Sequence, residues 1–172
     1  MGFFSTGNRG LVLILVQTED FDLTTEVAKL RANNAAIGAV VVFVGLVRDF
    51  NEDSQVQAME LEHYPGMTEQ SLQDIAQQAQ TRWSLEDVLI IHRVGVLQPL
   101  DQIVLVVAAS ANRGPAFAAC EFMMDYLKTL APFWKKENTP NGAHWVDARE
   151  SDASAASKWR VSELAHLGDE PR

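Results

Sequence analysis

A group of basic side chains between residues 112 and 136 is the first feature of this sequence that could carry chemistry. The segment holds more positive than negative residues, whereas the whole chain carries a net charge of −9. A local reversal of charge suits the binding of a small anion. A solvated helix face with lysines that complement the helix dipole is the alternative, and composition alone favours it. The residues concerned are Arg113, Lys128, Lys135 and Lys136, against the acids Glu121 and Asp125.

The spacing of three charged residues predicts which of them share a site. Lys135 and Lys136 are adjacent, so on a strand their side chains point to opposite faces. Lys135 and Glu137 are two residues apart, so they share a face and can pair. A partly buried lysine near other cations becomes usable in acid–base or nucleophilic chemistry, because its charged form is disfavoured. A surface ion pair worth at most about 1 kcal/mol is the alternative.

Two arginines are further candidates for binding an anion. Arg48 follows an apolar strand in which Gly45 permits close backbone approach, and an arginine at a strand end suits phosphate or carboxylate. Arg113 and Lys128 would lie about 22 Å apart on one helix. Both can serve one small ligand only if two subunits share the pocket, so we expect an oligomer.

The histidine and cysteine residues give no sign of a metal site or of a catalytic nucleophile. The histidines lack metal-ligand spacing, and His92, within a predicted strand, is typical of a structural hydrogen-bonding group. The single cysteine, Cys120, lies among apolar residues and is predicted to be part of the core rather than a nucleophile. One cysteine excludes an intramolecular disulfide and a cysteine-rich metal site, and it fits a reducing, cytoplasmic setting.

Length and charge exclude several classes of protein. The 172 residues correspond to about one domain. The net charge of −9 argues against binding to nucleic acid or to an anionic membrane. No targeting segment is visible, and no apolar run approaches the roughly 20 residues of a membrane span.

The elements that must position the candidate residues follow from the hydrophobic pattern. Apolar runs and alternation predict strands over 11–17, 37–47, 55–64, 86–95 and 102–110, and a hairpin around Asn141 and Gly142. Spacing near 3.6, with capping residues, predicts helices over 22–32, 65–83 and 113–130, and loops over 49–54 and 96–101. This order predicts an α+β protein with a mainly antiparallel sheet.

Two expectations concern the last third of the chain. In the helix over 113–130, one apolar face is expected to carry Phe117, Cys120, Met124 and Leu127. After Val146 the sequence becomes polar and rich in Ala and Ser. Trp159 and Leu164 either dock a short terminal helix or belong to a mobile tail.

Six motifs occur in order and together closely resemble the catalytic large subunit of molybdopterin synthase. The block at 125–137, with "GAHWV" after it, is the most specific part. The resemblance covers about residues 11–148, which predicts one family domain over 1–148 and a polar tail over 149–172. The motifs are "FVGLVR" (43–48), "LEHYPGM" (61–67), "HRVGVL" (92–97), "RGPAF" (113–117), "DYLKTLAPFWKKE" (125–137) and "GAHWV" (142–146).

The resemblance implies an α/β-hammerhead fold and a sulfurtransferase of molybdenum cofactor biosynthesis. It implies a central homodimer with a small ubiquitin-like sulfur-carrier subunit at each end, a heterotetramer. The carrier's C-terminal Gly-Gly thiocarboxylate would enter the large subunit's pocket and convert cyclic pyranopterin monophosphate (precursor Z) to molybdopterin. Other proteins insert molybdenum later, so neither a metal nor a cofactor is expected in this chain.

The resemblance also implies roles for individual residues. Lys128 and Lys135 match the functional lysines, to which we assign anion stabilisation and proton transfer; a transient covalent role for Lys128 is a further option. Substrate-binding and pocket-wall positions are matched as follows: Leu46, Val47, Arg48, Asn112, Arg113, Lys136 and Glu137 for substrate, and Phe43 and Met124 for the wall.

One departure from the family pattern leaves the function open to an alternative. The family usually has His-Arg where this chain has Asn112 and Arg113. Asparagine forms hydrogen bonds but does not titrate. If the family histidine carries a proton, this chain is slower or uses another group; if it only binds substrate, asparagine suffices. The alternatives are a catalytically impaired homologue that binds the carrier or an anion, and a structural dimer scaffold.

Overall fold

The computed structural model describes residues 10–32, 34–51, 54–146 and 153–159. In these ranges two four-stranded sheets, a two-stranded ribbon and four helices are present. In chain order the elements are β1 (Val12–Gln17), α1 (Leu23–Arg31), β2 (Ala39–Leu46), β3 (Phe50–Asn51), β4 (Ser54–Gln55), β5 (Ala58–His63), α2 (Met67–Arg82), β6 (Leu85–Arg93), β7 (Gly95–Leu97), β8 (Gln102–Ser110), α3 (Arg113–Leu130), β9 (Phe133–Thr139), β10 (Gly142–Val146) and α4 (153–159).

The first sheet has the strand order β1-β6-β8-β2, and helices cover both of its faces. β1 and β6 run parallel, whereas the other neighbouring pairs are antiparallel. α2 and α3 pack over Ile90 and Val106, and α1 packs over Leu89 and Val107 on the opposite face. Because both faces are covered, β6 and β8 are near-continuous apolar runs.

The second sheet has the order β10-β9-β5-β7 and is antiparallel throughout. The chain passes from the first sheet to the second directly after Arg93, where Gly95 has φ +86° and begins β7. A left-handed backbone of this kind favours glycine. The corner brings the end of β6 next to β9, the strand that carries Lys135 and Glu137.

The predicted class is confirmed. The protein is α+β, its strand pairs are mainly antiparallel, and β9 and β10 form the expected hairpin. Thr139 pairs with Gly142 across a turn formed by Pro140 and Asn141. Gly142 has φ +113°, which explains the glycine at this position.

Two segments differ from the sequence prediction. The predicted strand over 55–64 is divided: β4 pairs with β3 inside the expected loop, and β5 begins only at Ala58. This division explains why the alternation of the sequence changes phase before Met59. The predicted connection over 96–101 contains most of β7, which at three residues is too short to produce a periodic signal.

The start of α2 was also predicted wrongly. The helix begins at Met67 rather than in a turn containing Pro65, because Gly66 has φ +85° and is not helical. The backbone N–H of Gly66 donates to Glu69 Oε2 at 2.6 Å, which caps the helix from its own first turn. The first helix, by contrast, is capped as expected, since Asp22 Oδ1 accepts from the N–H of Thr25 at 2.6 Å.

The buried face of α3 is turned relative to the predicted one. Phe117 was expected on the apolar face with Cys120, but its side chain is 63% exposed. The buried arc is centred on Ala119, Phe122 and Met123, and Cys120 and Leu127 lie at its edge. Small alanines let the helix lie close to the sheet there, and the large exposed ring is left on the other side.

The terminal helix α4 docks on α2 and α3. Trp159 Nε1 donates to Asp125 Oδ2 at 2.8 Å, and its ring meets the Phe122 ring edge-on at 5.6 Å. Lys158 Nζ lies 3.0 Å from the same Asp125 Oδ2. Trp159 therefore docks a short helix, one of the two expected outcomes; Leu164 lies outside the described residues. Among the described residues, no helix is long and apolar enough to span a membrane.

Candidate active site

A cavity of about 660 Å³ opens where the end of α3 meets both sheets. Its walls are mainly apolar, and its charged side chains come from three separate elements. Charged groups on an apolar surface suit a flat, partly apolar ligand that carries an anionic group. The apolar lining includes Phe43, Val47, Met59, Leu61, Met124, Leu127 and Phe133.

Arg48 reaches this cavity because β2 is deformed near its end. The register with β8 shifts between Gly45 and Leu46. A Cβ at Gly45 would lie 2.8 Å from Val104 Cγ1, so a larger residue here would require the Val104 side chain to move. The N–H of Val47 then donates to the carbonyl of Asp101 at 2.9 Å, which fixes the backbone immediately before Arg48.

Lys128 reaches the same cavity from the last turn of α3. Met124 lines the wall one turn earlier, as α-helical spacing requires. The helix ends at Leu130, where Ala131 is extended and Pro132 follows. The exposed carbonyls at a helix C-terminus disfavour a bound anion, so a cation at this position offsets that field.

Lys135 and Glu137 line the cavity from β9, and Lys136 lies between them on the opposite face. The Lys135 Nζ to Glu137 Oε1 distance is 2.5 Å. The Glu137 carboxylate is buried, and His144 on β10 lies 4.0 Å from its other oxygen. Lys136 Nζ lies 5.6 Å from the ring centre of Trp145. The strand geometry predicted from the sequence is confirmed for all three residues.

The charges of the cavity are positive in excess. Among the described residues, Arg48, Lys128 and Lys135 are accompanied by one lining carboxylate, that of Glu137. The side chains of Arg48 and Lys128 are exposed, that of Lys135 is half-buried, and that of Glu137 is buried. A small anion entering the cavity thus meets cations before it meets the carboxylate.

His92 and Cys120 were both predicted to be structural. Cys120 is buried in the core, and burial raises the pKa of its thiol to about 11. The thiol is therefore protonated at neutral pH and is a poor nucleophile. His92 is also buried, and its burial lowers the pKa of the imidazole to about 4. Unlike Cys120, however, His92 lines the cavity.

Three of the predicted substrate-binding residues lie outside this cavity. Asn112 and Arg113 are at the N-terminal end of α3, the opposite end of the helix from Lys128. Lys136 is on the outer face of the second sheet. The remaining predicted residues all line the cavity: Phe43, Leu46, Val47, Arg48, Met124, Lys128, Lys135 and Glu137.

The sequence did not single out Met59, Leu61 or Phe133 as part of the site. Met59 pairs with Glu137 and Leu61 with Lys135 across β5 and β9. Directly opposed residues share a face, so a correct pairing of these two strands would have placed both side chains in the cavity. Phe133 could be found only from the turn that follows α3. Among the described residues, no group of three or more His, Cys, Asp or Glu side chains could hold a metal ion.

Comparison with known proteins identifies the class to which this fold and site belong, the proteins of molybdopterin biosynthesis. The family model described as "MoaE protein" matches residues 16–130. A molybdopterin synthase catalytic subunit from Ralstonia nicotianae is 61% identical over 148 residues, which cover 86% of this chain and 84% of that protein. The resemblance expected from the motifs is thus confirmed.

Solved structures give the same result. The molybdopterin biosynthesis MoaE protein from Burkholderia ambifaria has a TM-score of 0.74 and 60% identity, covering 85% of this chain and 96% of that one. Molybdopterin synthase from Staphylococcus aureus has a TM-score of 0.70 and 31% identity, covering 77% and 96%. The chain belongs to the MoaE protein family and is an enzyme of molybdopterin synthesis.

Proposed function

We propose that this enzyme transfers sulfur from the C-terminal thiocarboxylate of a small ubiquitin-like carrier to precursor Z, and so forms molybdopterin. The observation that carries the proposal is the convergence of Arg48, Lys128 and Lys135 in one apolar-walled cavity. The carrier thiocarboxylate and the cyclic phosphate of the substrate are both anions. A protein with a net charge of −9 needs a local concentration of cations to hold them together.

In this proposal the sulfur comes from outside the chain. The single cysteine, Cys120, is buried, which is consistent with that source. In the proposed step the thiocarboxylate sulfur attacks a substrate carbon, a C–O bond of that carbon breaks, and the departing oxygen takes a proton. The product is a thioester that links carrier and substrate. Water then attacks the acyl carbon, the C–S bond breaks, and carrier carboxylate and substrate thiol are released with one proton. We assign stabilisation of the acyl oxyanion to Lys128 and proton transfer to Lys135 with Glu137. Arg48, with the backbone at Leu46 and Val47, binds the pterin phosphate.

The same proposal needs a second copy of the chain. Arg113 would lie about 22 Å from Lys128 along α3, so one chain cannot bring both to one small ligand. A partner's α3 would supply Arg113 and Asn112 together with a positive helix N-terminus, a favourable group for a phosphate. Phe117, one turn along and 63% exposed, would be covered in such a dimer. With a carrier at each end, the assembly is a heterotetramer.

Mixing of inactive chains tests the shared site. Lys128→Ala and Arg113→Ala chains should each be inactive alone, whereas a mixed dimer holds one intact site. Random mixing should restore about a quarter of the wild-type activity. No recovery in a mixture shown to contain mixed dimers would place both residues in one subunit's site or in none.

A single-turnover assay tests the reaction itself. Purified protein, thiocarboxylated carrier and precursor Z are mixed, and molybdopterin is followed after oxidation to a fluorescent pterin. Carrier with an ordinary carboxylate is the matched control and should give no product. If the carrier binds but no product forms, the chain is a binding module, and Asn112→His becomes the variant that tests whether the missing histidine is the reason. The buried, unpaired Cys120 favours a cytoplasmic setting for this reaction.

A further inference from the structure

The turn that joins α3 to β9 consists of two residues, Ala131 and Pro132. Lys128 lies in the last turn of α3, and Lys135 is the third residue of β9, so the turn separates the two lysines of the proposed site. Lys135 is held to its own strand by the ion pair with Glu137. The separation of the two lysines therefore depends on the direction in which β9 leaves α3.

A fully buried hydroxyl, that of Thr68, contacts this turn. Thr68 is the second residue of α2 and is 0% exposed. Its Oγ1 donates to the carbonyl of Pro132 at 3.2 Å and accepts from the backbone N–H of Tyr64 at 3.1 Å. The N–H of Thr68 donates to the carbonyl of Tyr64 at 3.0 Å. The hydroxyl thus acts as both donor and acceptor, and both of its partners are backbone groups.

Through these bonds Thr68 joins two connections that run between the helices and the second sheet. One connection leads from β5 into α2 and contains Tyr64; the other leads from α3 into β9 and contains Pro132. The strands at their ends are neighbours, because His63 of β5 pairs with Phe133 of β9. The hydroxyl therefore ties both connections together where the helices meet the second sheet.

The turn held by Thr68 is part of the cavity wall. Ala131 and Phe133 line the cavity on either side of Pro132, as do the two lysines beyond them. Proline has no backbone N–H, so its carbonyl is the one hydrogen-bonding group that Pro132 offers. The hydrogen bond from Thr68 is thus a direct hold on the middle of the turn, made from behind the wall.

We propose that Thr68 is a positioning residue, whose hydroxyl fixes the turn between α3 and β9 and so sets the relative position of Lys128 and Lys135. The inference rests on the proposed function, in which Lys128 stabilises the acyl oxyanion and Lys135 takes part in proton transfer. Both roles require a defined position relative to the same acyl group, and a displacement of about 1 Å caused by a remote residue can cost about a hundredfold in rate. Thr68 contacts neither the carrier nor the pterin and acts through the turn.

Two matched pairs of proteins isolate the hydroxyl from the packing of the side chain. Wild-type protein and Thr68→Val have side chains of nearly the same shape and differ in the hydroxyl. Thr68→Ser and Thr68→Ala differ in the same way, but both lack the methyl group. If Thr68→Val does not fold, the comparison of Ser with Ala decides the same question.

Thr139→Val is the control for loss of a similar hydroxyl elsewhere. Thr139 is buried, and its Oγ1 donates to the carbonyl of Gly142 at 3.0 Å and accepts from the N–H of Asn141 at 3.3 Å. It lies at the hairpin end of β9 and does not line the cavity. Both Val variants leave a backbone N–H and a backbone carbonyl without their partner, so both should unfold at a lower temperature than the wild-type protein.

The kinetic result expected is a loss in kcat with little change in KM. Thr68→Val and Thr68→Ala should lose about tenfold or more in kcat, while KM for precursor Z changes less than about threefold. Thr68→Ser and Thr139→Val should keep kcat within about threefold of the wild-type value. Equal rates with and without the Thr68 hydroxyl in folded proteins, or an equal loss in Thr139→Val, would overturn the proposal.

A second readout does not depend on the reaction. Amide hydrogen exchange is followed by mass spectrometry in the protein alone, for the stretch from Ala131 to Lys135. Exchange there should be faster in Thr68→Val than in Thr139→Val by about tenfold, because only the first variant releases the turn. Equal exchange of this stretch in the two variants would overturn the inference. If exchange differs as expected but the wild-type protein forms no product, the proposed function fails and the hold of Thr68 on the turn stands.

Discussion

Lys135 and Glu137 form an ion pair of 2.5 Å on the cavity face of β9, and Lys136, between them in the sequence, points to the opposite face. The pair joins a half-buried ammonium to a buried carboxylate. Glu137 thus fixes where Lys135 sits. Lys135 and Lys136 lie on the same strand but on opposite faces of the sheet, so Lys136 is a matched control for substitutions of Lys135.

Lys135→Ala should reduce single-turnover sulfur transfer by about a hundredfold or more, as loss of a group that stabilises charge in a transition state does. Lys136→Ala should reduce it by less than about threefold, because its side chain packs beside Trp145 outside the cavity. The measurement is the rate of product formation with saturating carrier. A comparable loss in both variants would show that Lys136 reaches a site after all, one completed by another subunit.

The ion pair between Lys135 and Glu137 should also contribute to the free energy of unfolding. Lys135→Met removes the ion pair between Lys135 Nζ and the buried Glu137 carboxylate, and should cost about 2 kcal/mol, since removing one partner of a buried ion pair is unfavourable. Adding Glu137→Gln should recover part of that loss. Urea unfolding of the two single variants and the double variant gives the coupling energy. A coupling near zero would mean that the pair contributes nothing in solution.

Much of the arrangement on β9 could be predicted from the sequence. Side chains on a strand alternate with a period of two, so the adjacent Lys135 and Lys136 must point to opposite faces. Lys128 and Met124 were placed in one site by the family resemblance, and their spacing of four residues on α3 agrees with that placement. His92 and Phe133 could not be placed, because a corner at Gly95 and a turn after α3 bring them together from distant parts of the chain. The three-residue β7 and the division into two sheets were missed for the same reason. Phe117 was misplaced because the buried arc of α3 is centred on Ala119, Phe122 and Met123, which leaves the Phe117 ring exposed.

The buried His92 should make the protein less stable in mild acid. Its pKa is about 4 in the folded protein against 6.5 for the free side chain, so between those values the unfolded chain binds a proton that the folded chain does not. Stability is complete above pH 6.5 and falls as the pH is lowered toward 4, by about 3 kcal/mol in total.

His92→Gln removes the titrating group and provides the control for that effect. Urea unfolding at several pH values should show a smaller loss of unfolding free energy in the variant. Between pH 4 and 6.5 the slope of unfolding free energy against pH should be smaller by up to the contribution of one bound proton. Parallel curves for the two proteins would assign the acid sensitivity to other groups.

Cys120 should prove dispensable for sulfur transfer. Its thiol is buried and its pKa is raised to about 11, so it is neither ionised nor accessible. Cys120→Ala should keep the single-turnover rate within about twofold and lose about 1 kcal/mol of stability through lost packing. Sulfur transfer that disappears in a folded Cys120→Ala protein would contradict a mechanism in which all sulfur arrives on the carrier.

The most direct test of the central claim is the single-turnover rate of Lys128→Ala. With thiocarboxylated carrier and precursor Z, the variant should form molybdopterin at least about a hundredfold more slowly, while carrier binding stays within about threefold. Lys29→Ala, which changes an exposed lysine on α1 away from the cavity, should match the wild-type protein. Product formation by Lys128→Ala at close to the wild-type rate would contradict the assignment of sulfur transfer to this cavity.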